Sequence, residues 1–254
     1  MAGSKPIFVV FPGSFHLHDC LQPLISELQN QGYEAKSATL ATTDSKGGTI
    51  EDDVNLMRSL LEPLIDQGRE VVLVLHSYAG FPGSATVQGL SKSEIHGKDS
   101  DGGIIGVVYM CAFIPQEGVS LYQALGGKWL DWHVPDEENK TLWATTPEKI
   151  FYQDCPTDLT AEAVAKLKGH SIVCLTEKEP PVYYNKKHFD GRRAYIRCTE
   201  DAALLPFVQD ALIEESGVQW IVKEIAAGHS PFMSKPKELA QALNELVDEF
   251  EKAP

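Results

Sequence analysis

The sequence predicts a fold of the α/β class, with a mostly parallel sheet of about six strands flanked by helices. Short apolar runs recur along the chain without the alternation of a half-exposed strand, so we expect strands that are buried on both faces of a parallel sheet. Segments with apolar residues at helical spacing separate these runs, which favours strand–helix–strand units. The predicted strands are residues 7–11, 71–75, 104–110, 194–198 and 218–222, together with a shorter one at 32–36.

Four helices are predicted from apolar residues spaced three and four apart. They include residues 21–28, 54–65, 159–167 and 239–250. The second helix is expected to begin at Thr49, because the spacing from Thr49 to Asp52 resembles a capping box. Ser234 is the predicted cap of the last helix. A further helix is expected at residues 77–90, followed by a polar surface loop at residues 91–103.

Residues 116–191 differ in character from the rest of the chain. They hold five prolines, no long β-run and three of the four tryptophans, Trp129, Trp132 and Trp143. We interpret them as a small cap that is inserted into the core and folds over the carboxyl edge of the sheet, where its aromatic residues can wall a ligand pocket. The alternative is an aromatic mini-core that only holds the insertion together. The predicted domains are therefore a core at 1–115 and 192–254 and a cap at 116–191.

Charge and composition limit the partners of the protein. The 254 residues carry a formal net charge of −14 at pH 7, which argues against nucleic acid and anionic membranes because both repel an acidic surface. A small-molecule substrate is compatible with this charge, and a homodimer is allowed. No apolar run is long enough to span a bilayer and the first residues lack the apolar core of a secretion signal, so we expect a cytoplasmic protein.

The sequence offers no clear motif for a metal or a cofactor. Its five cysteines are scattered and odd in number, so we expect reduced, mostly buried thiols, with a thiol nucleophile as the alternative. There is no glycine fingerprint for a nucleotide and no cluster of residues spaced to ligate a metal. We therefore expect neither a metal nor a cofactor.

The stretch VVLVLHSYAG at residues 71–80 is the most informative in the chain. A buried strand ends there, Ser77 follows, and Ala79 and Gly80 are small enough for a sharp turn into a helix. Such a nucleophile elbow exposes a serine hydroxyl at the carboxyl end of the sheet. The general pattern is Gly-x-Ser-x-Gly, and Leu75 replaces its first glycine and Ala79 its second. An ordinary turn whose serine caps a helix is the alternative.

A second loop can supply hydrogen-bond donors beside this serine. The first strand ends at Pro12-Gly13-Ser14-Phe15. If this loop lies next to the Ser77 turn, its backbone N–H groups and that of Tyr78 would form a two-donor oxyanion hole. The alternative is a glycine that merely allows the chain to turn between strand and helix.

Three polar residues follow predicted strands at their carboxyl ends: Ser77, Asp201 and His229. In an open parallel sheet these ends converge on one crevice. Serine needs a base at neutral pH, histidine can take and return a proton, and a carboxylate fixes the histidine tautomer. The order nucleophile, acid, base is that of α/β hydrolases.

Other residues compete for these roles. His76 adjoins Ser77, but neighbours on a strand point to opposite faces, so His76 is expected beneath the turn. Glu200 competes with Asp201 as the acid. His16 can contact a substrate, although a solvated loop histidine is the simpler interpretation.

With these residues placed, the chain resembles the α/β-hydrolase superfamily over nearly its whole length. It is most similar to the small plant methylesterase and hydroxynitrile lyase branch and its fungal and bacterial relatives. The resemblance rests on FVVFPGS, HSYAG, CTED and GHSP at residues 8–14, 76–80, 198–201 and 228–231, with Pro206 and Gln209. It departs from the family at Pro12, where relatives usually carry histidine, and at Leu75, which is expected to narrow the turn.

This resemblance implies an α/β-hydrolase fold and a role for each site residue. Ser77 is the implied nucleophile, Asp201 rather than Glu200 the acid, and His229 the base. Ser14 and Tyr78 are the implied backbone donors of the oxyanion hole. A cap at residues 116–191 matches the family in position and length.

The leading functional hypothesis is a serine hydrolase that cleaves a carboxylic ester or lactone through an acyl-enzyme. Four aromatic residues are expected to line an apolar substrate pocket: Phe15, Tyr78, Trp129 and Trp132, and His16 is a further candidate contact. Two alternatives use the same fold. One is a carbon–carbon lyase, or a condensing or cyclising enzyme of secondary metabolism, with the same triad; the other is a ligand receptor.

Overall fold

Six parallel strands form the central sheet of the protein. The computed structural model describes residues 5–95 and 101–253. The strands are β1 (Ile7–Phe11), β2 (Glu34–Ser37), β3 (Glu70–His76), β4 (Gly103–Met110), β8 (Arg193–Cys198) and β9 (Ile221–Ile225). Their order across the sheet is β2-β1-β3-β4-β8-β9, and all neighbours pair in parallel. The predicted α/β class and the number of strands are confirmed.

The remaining elements connect these strands. The helices that lie outside the segment between β4 and β8 are α1 (Gln22–Asn30), α2 (Ile50–Asp66), α3 (Gly80–Thr86), α4 (Lys92–Ile95), α9 (Pro206–Glu215), α10 (Pro231–Ser234) and α11 (Pro236–Lys252). The segment between β4 and β8 contains the strands β5 (His133–Asp136), β6 (Thr141–Ala144) and β7 (His170–Ser171). It also contains the helices α5 (Leu121–Ala124), α6 (Pro147–Ile150), α7 (Thr157–Lys166) and α8 (Ile172–Thr176).

Helices cover both faces of the sheet, which is why its central strands are apolar throughout. Every residue of β1 and β4 is buried. Phe250 of α11 packs over Gly106 of β4, where a Cβ would collide with its ring. Gly106 lies level with Val72 of β3. Gly83 of α3 contacts Leu75, three residues farther along β3 and hence on the opposite face.

The capping residue predicted from the sequence is correct for one helix and wrong for another. Thr49 and Asp52 form the predicted capping box at the start of α2: the Asp52 N–H donates to Thr49 Oγ1, and the Thr49 N–H donates to the Asp52 carboxylate. Ser234, however, does not cap α11. It ends the short helix α10, and Lys235 occupies the N-cap position without a side-chain hydrogen bond.

The predicted ends of several other elements differ from those observed. The last strand lies at 221–225 instead of 218–222, because Ile221 is the residue that pairs with Ala194 of β8. Trp220 instead packs its ring against Tyr109 and Tyr195, which holds it outside the strand. The helix after Ser77 ends at Thr86.

The predicted surface loop at 91–103 is only partly a loop. It begins with the helix α4, and Ile95 of that helix is buried. Residues 102–103 lead into β4 at its other end, with Gly103 already in the strand. Residues 96–100 lie outside the described part of the chain.

Residues 116–191 carry a small sheet of their own. Strands β5, β6 and β7 pair antiparallel, and Thr43, which lies between β2 and α2, adds an isolated bridge to His170. The sequence did not predict these strands, because they are only two to four residues long and contain polar residues and Pro135. Within 5–95 and 101–253, none of the helices has the length and apolarity to cross a bilayer.

Candidate active site

Ser77 occupies a strained turn at the carboxyl end of β3. Its φ angle is +54°, in the left-handed region that a serine rarely adopts. Residues 77–79 form a single 3-10 turn, and α3 begins at Gly80. A Cβ at Gly80 would collide with the carbonyl oxygen of Phe113, so a glycine is required there. The strand–turn–helix geometry expected for a nucleophile elbow is therefore present, with the serine at its tip.

The side chains of Ser77, His229 and Asp201 form one hydrogen-bonded chain. His229 Nε2 lies 3.0 Å from Ser77 Oγ, and His229 Nδ1 lies 2.8 Å from Asp201 Oδ2. A carboxylate oxygen accepts from Nδ1–H, which leaves the Nε2 lone pair directed at the serine hydroxyl. Both His229 and Asp201 are buried. This arrangement allows the imidazole to take the proton of the hydroxyl.

Asp201 is held by the backbone that follows it. Its Oδ1 accepts from the N–H groups of Ala203 and Leu204, each at 2.8 Å. Gln209 Nε2 lies 3.4 Å from Oδ2 and donates more closely, at 2.7 Å, to the Leu204 carbonyl. Glu200, the rival for the acid role, is exposed at the surface. Only Asp201 of the two reaches the imidazole.

Two backbone N–H groups beside Ser77 are unused. Within the described residues 5–95 and 101–253, the N–H groups of Ser14 and Tyr78 have no hydrogen-bond partner. Both residues line the same cavity as Ser77. The neighbouring Gly13 N–H is already committed, because it donates to His76 Nδ1 at 3.0 Å. Ser14 and Tyr78 therefore offer the free donors that an oxyanion would need.

The cavity above Ser77 is narrow and mainly apolar. It has a volume of about 40 Å³. Its apolar wall includes Phe15, Phe113, Leu142, Phe151 and Leu204. The wall therefore offers mainly apolar contacts to a ligand beside Ser77.

Only some of the predicted substrate contacts line the cavity. Phe15 and Trp132 line the cavity, as does His16. Trp129 does not line it; its ring packs against Tyr122 and His133. A turn closed by the His133 N–H and the Leu130 carbonyl, at 2.8 Å, lies between the two indoles. Both indoles contact the His133 ring, but only that of Trp132 reaches the cavity.

His16 is buried, contrary to the solvated position that its loop suggested. Its Nδ1 lies 2.7 Å from the Ser14 carbonyl oxygen, which can only accept, so Nδ1 carries the proton. Its Nε2 then accepts from the Tyr152 hydroxyl at 2.8 Å. Burial lowers the pKa of His16 to about 4 and keeps the ring neutral. Through this ring, Tyr152 supports the backbone of Ser14.

One supporting residue, Asp53, was not predicted from the sequence. Asp53 of α2 is fully buried and accepts from the Thr42 N–H at 3.0 Å and from the Tyr78 hydroxyl at 3.0 Å. Burial raises its pKa to about 6. Its position four residues before Met57, on the buried face of α2, was the available signal. The contact anchors the side chain of Tyr78 from below.

One group of possible metal ligands exists among the described residues, at His76, Cys111 and His229. Both ring nitrogens of His76 are committed, to the Gly13 N–H and to the His229 carbonyl. Burial raises the pKa of the Cys111 thiol well above its usual range. The lone pairs that a metal would need are therefore engaged or protonated.

Comparison with known proteins agrees with this geometry. A model of the alpha/beta hydrolase family matches residues 8–242. The chain is 29% identical over 253 residues to probable hydrolase R7 from Phoma sp., covering 96% of this chain and 99% of that protein. It is 24% identical to methyl jasmonate esterase 1 from Vitis vinifera, covering 96% and 97%. The structure of a pyrethroid hydrolase from Sphingobium faniae JZ-2 matches with a TM-score of 0.74 and 22% identity, covering 96% and 97%. The predicted α/β-hydrolase fold and the resemblance to the methylesterase branch are confirmed.

Proposed function

The chain belongs to the alpha/beta hydrolase family, and on that premise we propose that it is a serine hydrolase that cleaves a carboxylic ester or lactone. The observation that carries this proposal is the continuous chain from Ser77 Oγ through His229 to Asp201, with separations of 3.0 and 2.8 Å. The names of two similar proteins, an esterase and a pyrethroid hydrolase, support ester cleavage.

In the proposed mechanism Ser77 Oγ attacks the ester carbonyl carbon while its proton passes to His229 Nε2. The carbonyl oxygen becomes an oxyanion that accepts from the N–H groups of Ser14 and Tyr78. When the carbon–oxygen bond to the alcohol breaks, the alcohol leaves with the proton held by His229. Water then gives a proton to His229 and attacks the acyl-enzyme, and collapse of this intermediate returns the proton to Ser77 and releases the acid.

Asp201 would assist both steps without accepting a proton. Its carboxylate keeps Nδ1 of His229 protonated and stabilises the imidazolium that forms when Nε2 takes the serine proton. The two backbone N–H groups that hold the carboxylate make this support rigid. Because the pair is buried, its electrostatic effect is little screened by water.

The lining favours a small, mainly apolar substrate. Phe15, Trp132 and Phe151 contact one another and offer aromatic surface, and Leu142 and Leu204 add aliphatic surface. We propose that residues 116–191 act as a cap over the core at 1–115 and 192–254. Trp132, Leu142 and Phe151 come from that segment, so its movement would open the cavity.

The cavity also offers one imidazole donor outside the proposed triad. His133 Nδ1 accepts from the Leu130 N–H at 3.3 Å, and burial lowers the pKa of His133 to about 4, so the proton resides on Nε2. Nε2 has no partner within the described residues. We propose that the preferred ester carries a second oxygen, such as a ketone or ether, that accepts from His133.

The proposal is tested by labelling the full chain with a fluorophosphonate probe, followed by intact-mass analysis, beside a panel of aryl esters. The wild type should gain one probe at Ser77 and hydrolyse the esters. Ser77→Ala should lose both. Ser59→Ala, which removes an exposed hydroxyl from α2, is the matched control and should retain both.

Other outcomes would point to other functions. Labelling of Ser77 without ester turnover would favour carbon–carbon chemistry, in which His229 acts as base and no acyl-enzyme forms, or a ligand receptor. Binding of an ester without its conversion would single out the receptor. A wild-type protein that is folded but not labelled at Ser77 would overturn the assignment of the nucleophile.

A further inference from the structure

We propose that His76 is a positioning residue that fixes the distance between two backbone segments of the active site. The first is the oxyanion loop, residues 12–15. The second is the base loop, residues 226–230, which carries His229. The inference rests on the proposed function, because it assigns to both loops a part in ester cleavage.

His76 bridges the two loops with its two ring nitrogens. The Gly13 N–H lies 3.0 Å from Nδ1, and the His229 carbonyl oxygen lies 2.9 Å from Nε2. A backbone N–H can only donate and a carbonyl oxygen can only accept, so Nδ1 is the acceptor and Nε2 carries the proton. One neutral tautomer therefore satisfies both contacts. His76 is the last residue of β3, so the bridge is anchored in the central sheet.

The surroundings of the ring preserve this tautomer. His76 is fully buried, and burial lowers its pKa well below the usual value. The Phe232 ring lies edge-on at 4.9 Å, and the His16 ring at 5.8 Å. Cys111 Sγ lies 3.5 Å from the same His229 carbonyl oxygen and adds a weaker donor there. The ring is therefore fixed in position as well as in protonation state.

The two contacts control the groups that the reaction requires. Gly13 lies so close to the serine that a Cβ on it would be 2.5 Å from Ser77 Cβ. The next residue is Ser14, which has the free N–H. On the other side, the carbonyl of His229 belongs to the residue whose imidazole faces Ser77 Oγ at 3.0 Å. A shift of either loop by about 1 Å can cost 100-fold in rate.

Two substitutions separate the two contacts. His76→Asn places an amide oxygen near the position of Nδ1, so it can accept from Gly13 but is too short to reach His229. His76→Gln places an amide nitrogen near the position of Nε2, so it can donate to the His229 carbonyl but leaves the Gly13 N–H without its acceptor. His76→Phe removes both contacts while it keeps a ring.

The experiment measures kcat and KM for an aryl ester, together with the proton NMR resonance of the His229–Asp201 hydrogen bond. We expect each amide variant to lower kcat by about 10-fold to 100-fold, with KM changed less than about threefold, because the contacts act on transition-state geometry. The Asn variant should shift or broaden the resonance. The Gln variant should preserve it. His76→Phe should combine both defects.

A comparison variant separates positioning from loss of stability. Leu64→Ala removes a buried side chain near the end of α2. This position lies close to the amino end of β3, whereas the site lies at the carboxyl end of that strand. If kcat falls equally in Leu64→Ala and in a His76 variant of the same thermal stability, the positioning role is wrong. Wild-type kcat and an unchanged resonance in the Asn and Gln variants would also overturn it. Failure of the proposed function itself would appear separately, as wild-type protein that does not turn over esters.

Discussion

Leu75 and Gly83 are complementary in shape across the contact between β3 and α3. A Cβ on Gly83 would lie 2.5 Å from Leu75 Cδ2, closer than side chains can approach. Leu75 stands where the general elbow pattern has its first glycine, and Gly83 supplies the missing space from the facing helix. The side chain of Leu75 therefore packs beside α3, in the space that Gly83 leaves open.

This relationship predicts the effect of Gly83→Ala. The added methyl must displace Leu75 or α3, and overpacking of this kind costs about 1–3 kcal/mol of unfolding free energy. Combining it with Leu75→Ala should recover part of the loss. Urea unfolding of the two single variants and the double variant checks the prediction. Strictly additive losses would show that the two side chains do not compete for the same space.

Much of the core could be predicted because its signals are local. The apolar runs of β1, β3 and β4 are long enough to identify buried strands, and Thr49 marked the start of α2 through chemistry within four residues. The boundaries of β9 could not be predicted in the same way. They depend on pairing with β8 and on the packing of Trp220, which are contacts made across the fold.

In the site, too, some residues could be located from local signals, and others depend on contacts made across the fold. Ser77, Asp201 and His229 could be placed together because each follows a predicted strand at the same edge of the sheet. The burial of His16 could not, since it depends on Tyr152 and Phe151 of the inserted segment, which return to the first loop from far along the chain. The sequence also could not show that Trp129 lies outside the cavity, because its position depends on the path of the chain between β4 and β5.

Gln209→Leu is expected to weaken the support of Asp201. Gln209 is fully buried, and its amide donates to the Leu204 carbonyl and accepts from the Cys198 N–H at 3.1 Å. Leucine would leave these groups unpaired, at a cost of about 1–3 kcal/mol in unfolding free energy for each. We expect kcat to fall while KM changes little, because the position of the carboxylate matters to the proton transfer. Steady-state kinetics and urea unfolding test both parts, and an unchanged kcat would contradict the second.

His133→Phe should lower the preference for an ester that carries a second acceptor oxygen over a matched ester that lacks it. Phenylalanine keeps the ring packing against Trp132 and removes the Nε2–H donor. For an ester with a second acceptor oxygen we expect kcat/KM to fall about 10-fold, whereas the matched ester with a methylene in its place should be nearly unaffected. Trp143→Phe, at an exposed position outside the cavity wall, is the control. Equal losses on both esters would mean that His133 contributes shape alone.

Glu179 makes the unfolding free energy depend on pH. It is only 3% exposed, and neither carboxylate oxygen has a partner within the described residues. Burial, and then the nearby Glu177, raise its pKa from 4.5 to about 9. The folded protein therefore keeps a proton that the unfolded chain releases, so the stabilisation is complete below pH 4.5 and is lost progressively as the pH rises towards 9.

Glu179→Gln removes this titration while it keeps the size of the side chain. We expect the unfolding free energy of the variant, relative to wild type, to increase by about 2 kcal/mol or more between pH 5 and pH 8, since each unit of pKa difference corresponds to about 1.4 kcal/mol. Urea unfolding at a series of pH values measures it. Glu138→Gln, at an exposed position between β5 and β6, should follow the wild-type curve. Parallel curves for Glu179→Gln and wild type would mean that Glu179 is already ionised in the folded protein at neutral pH.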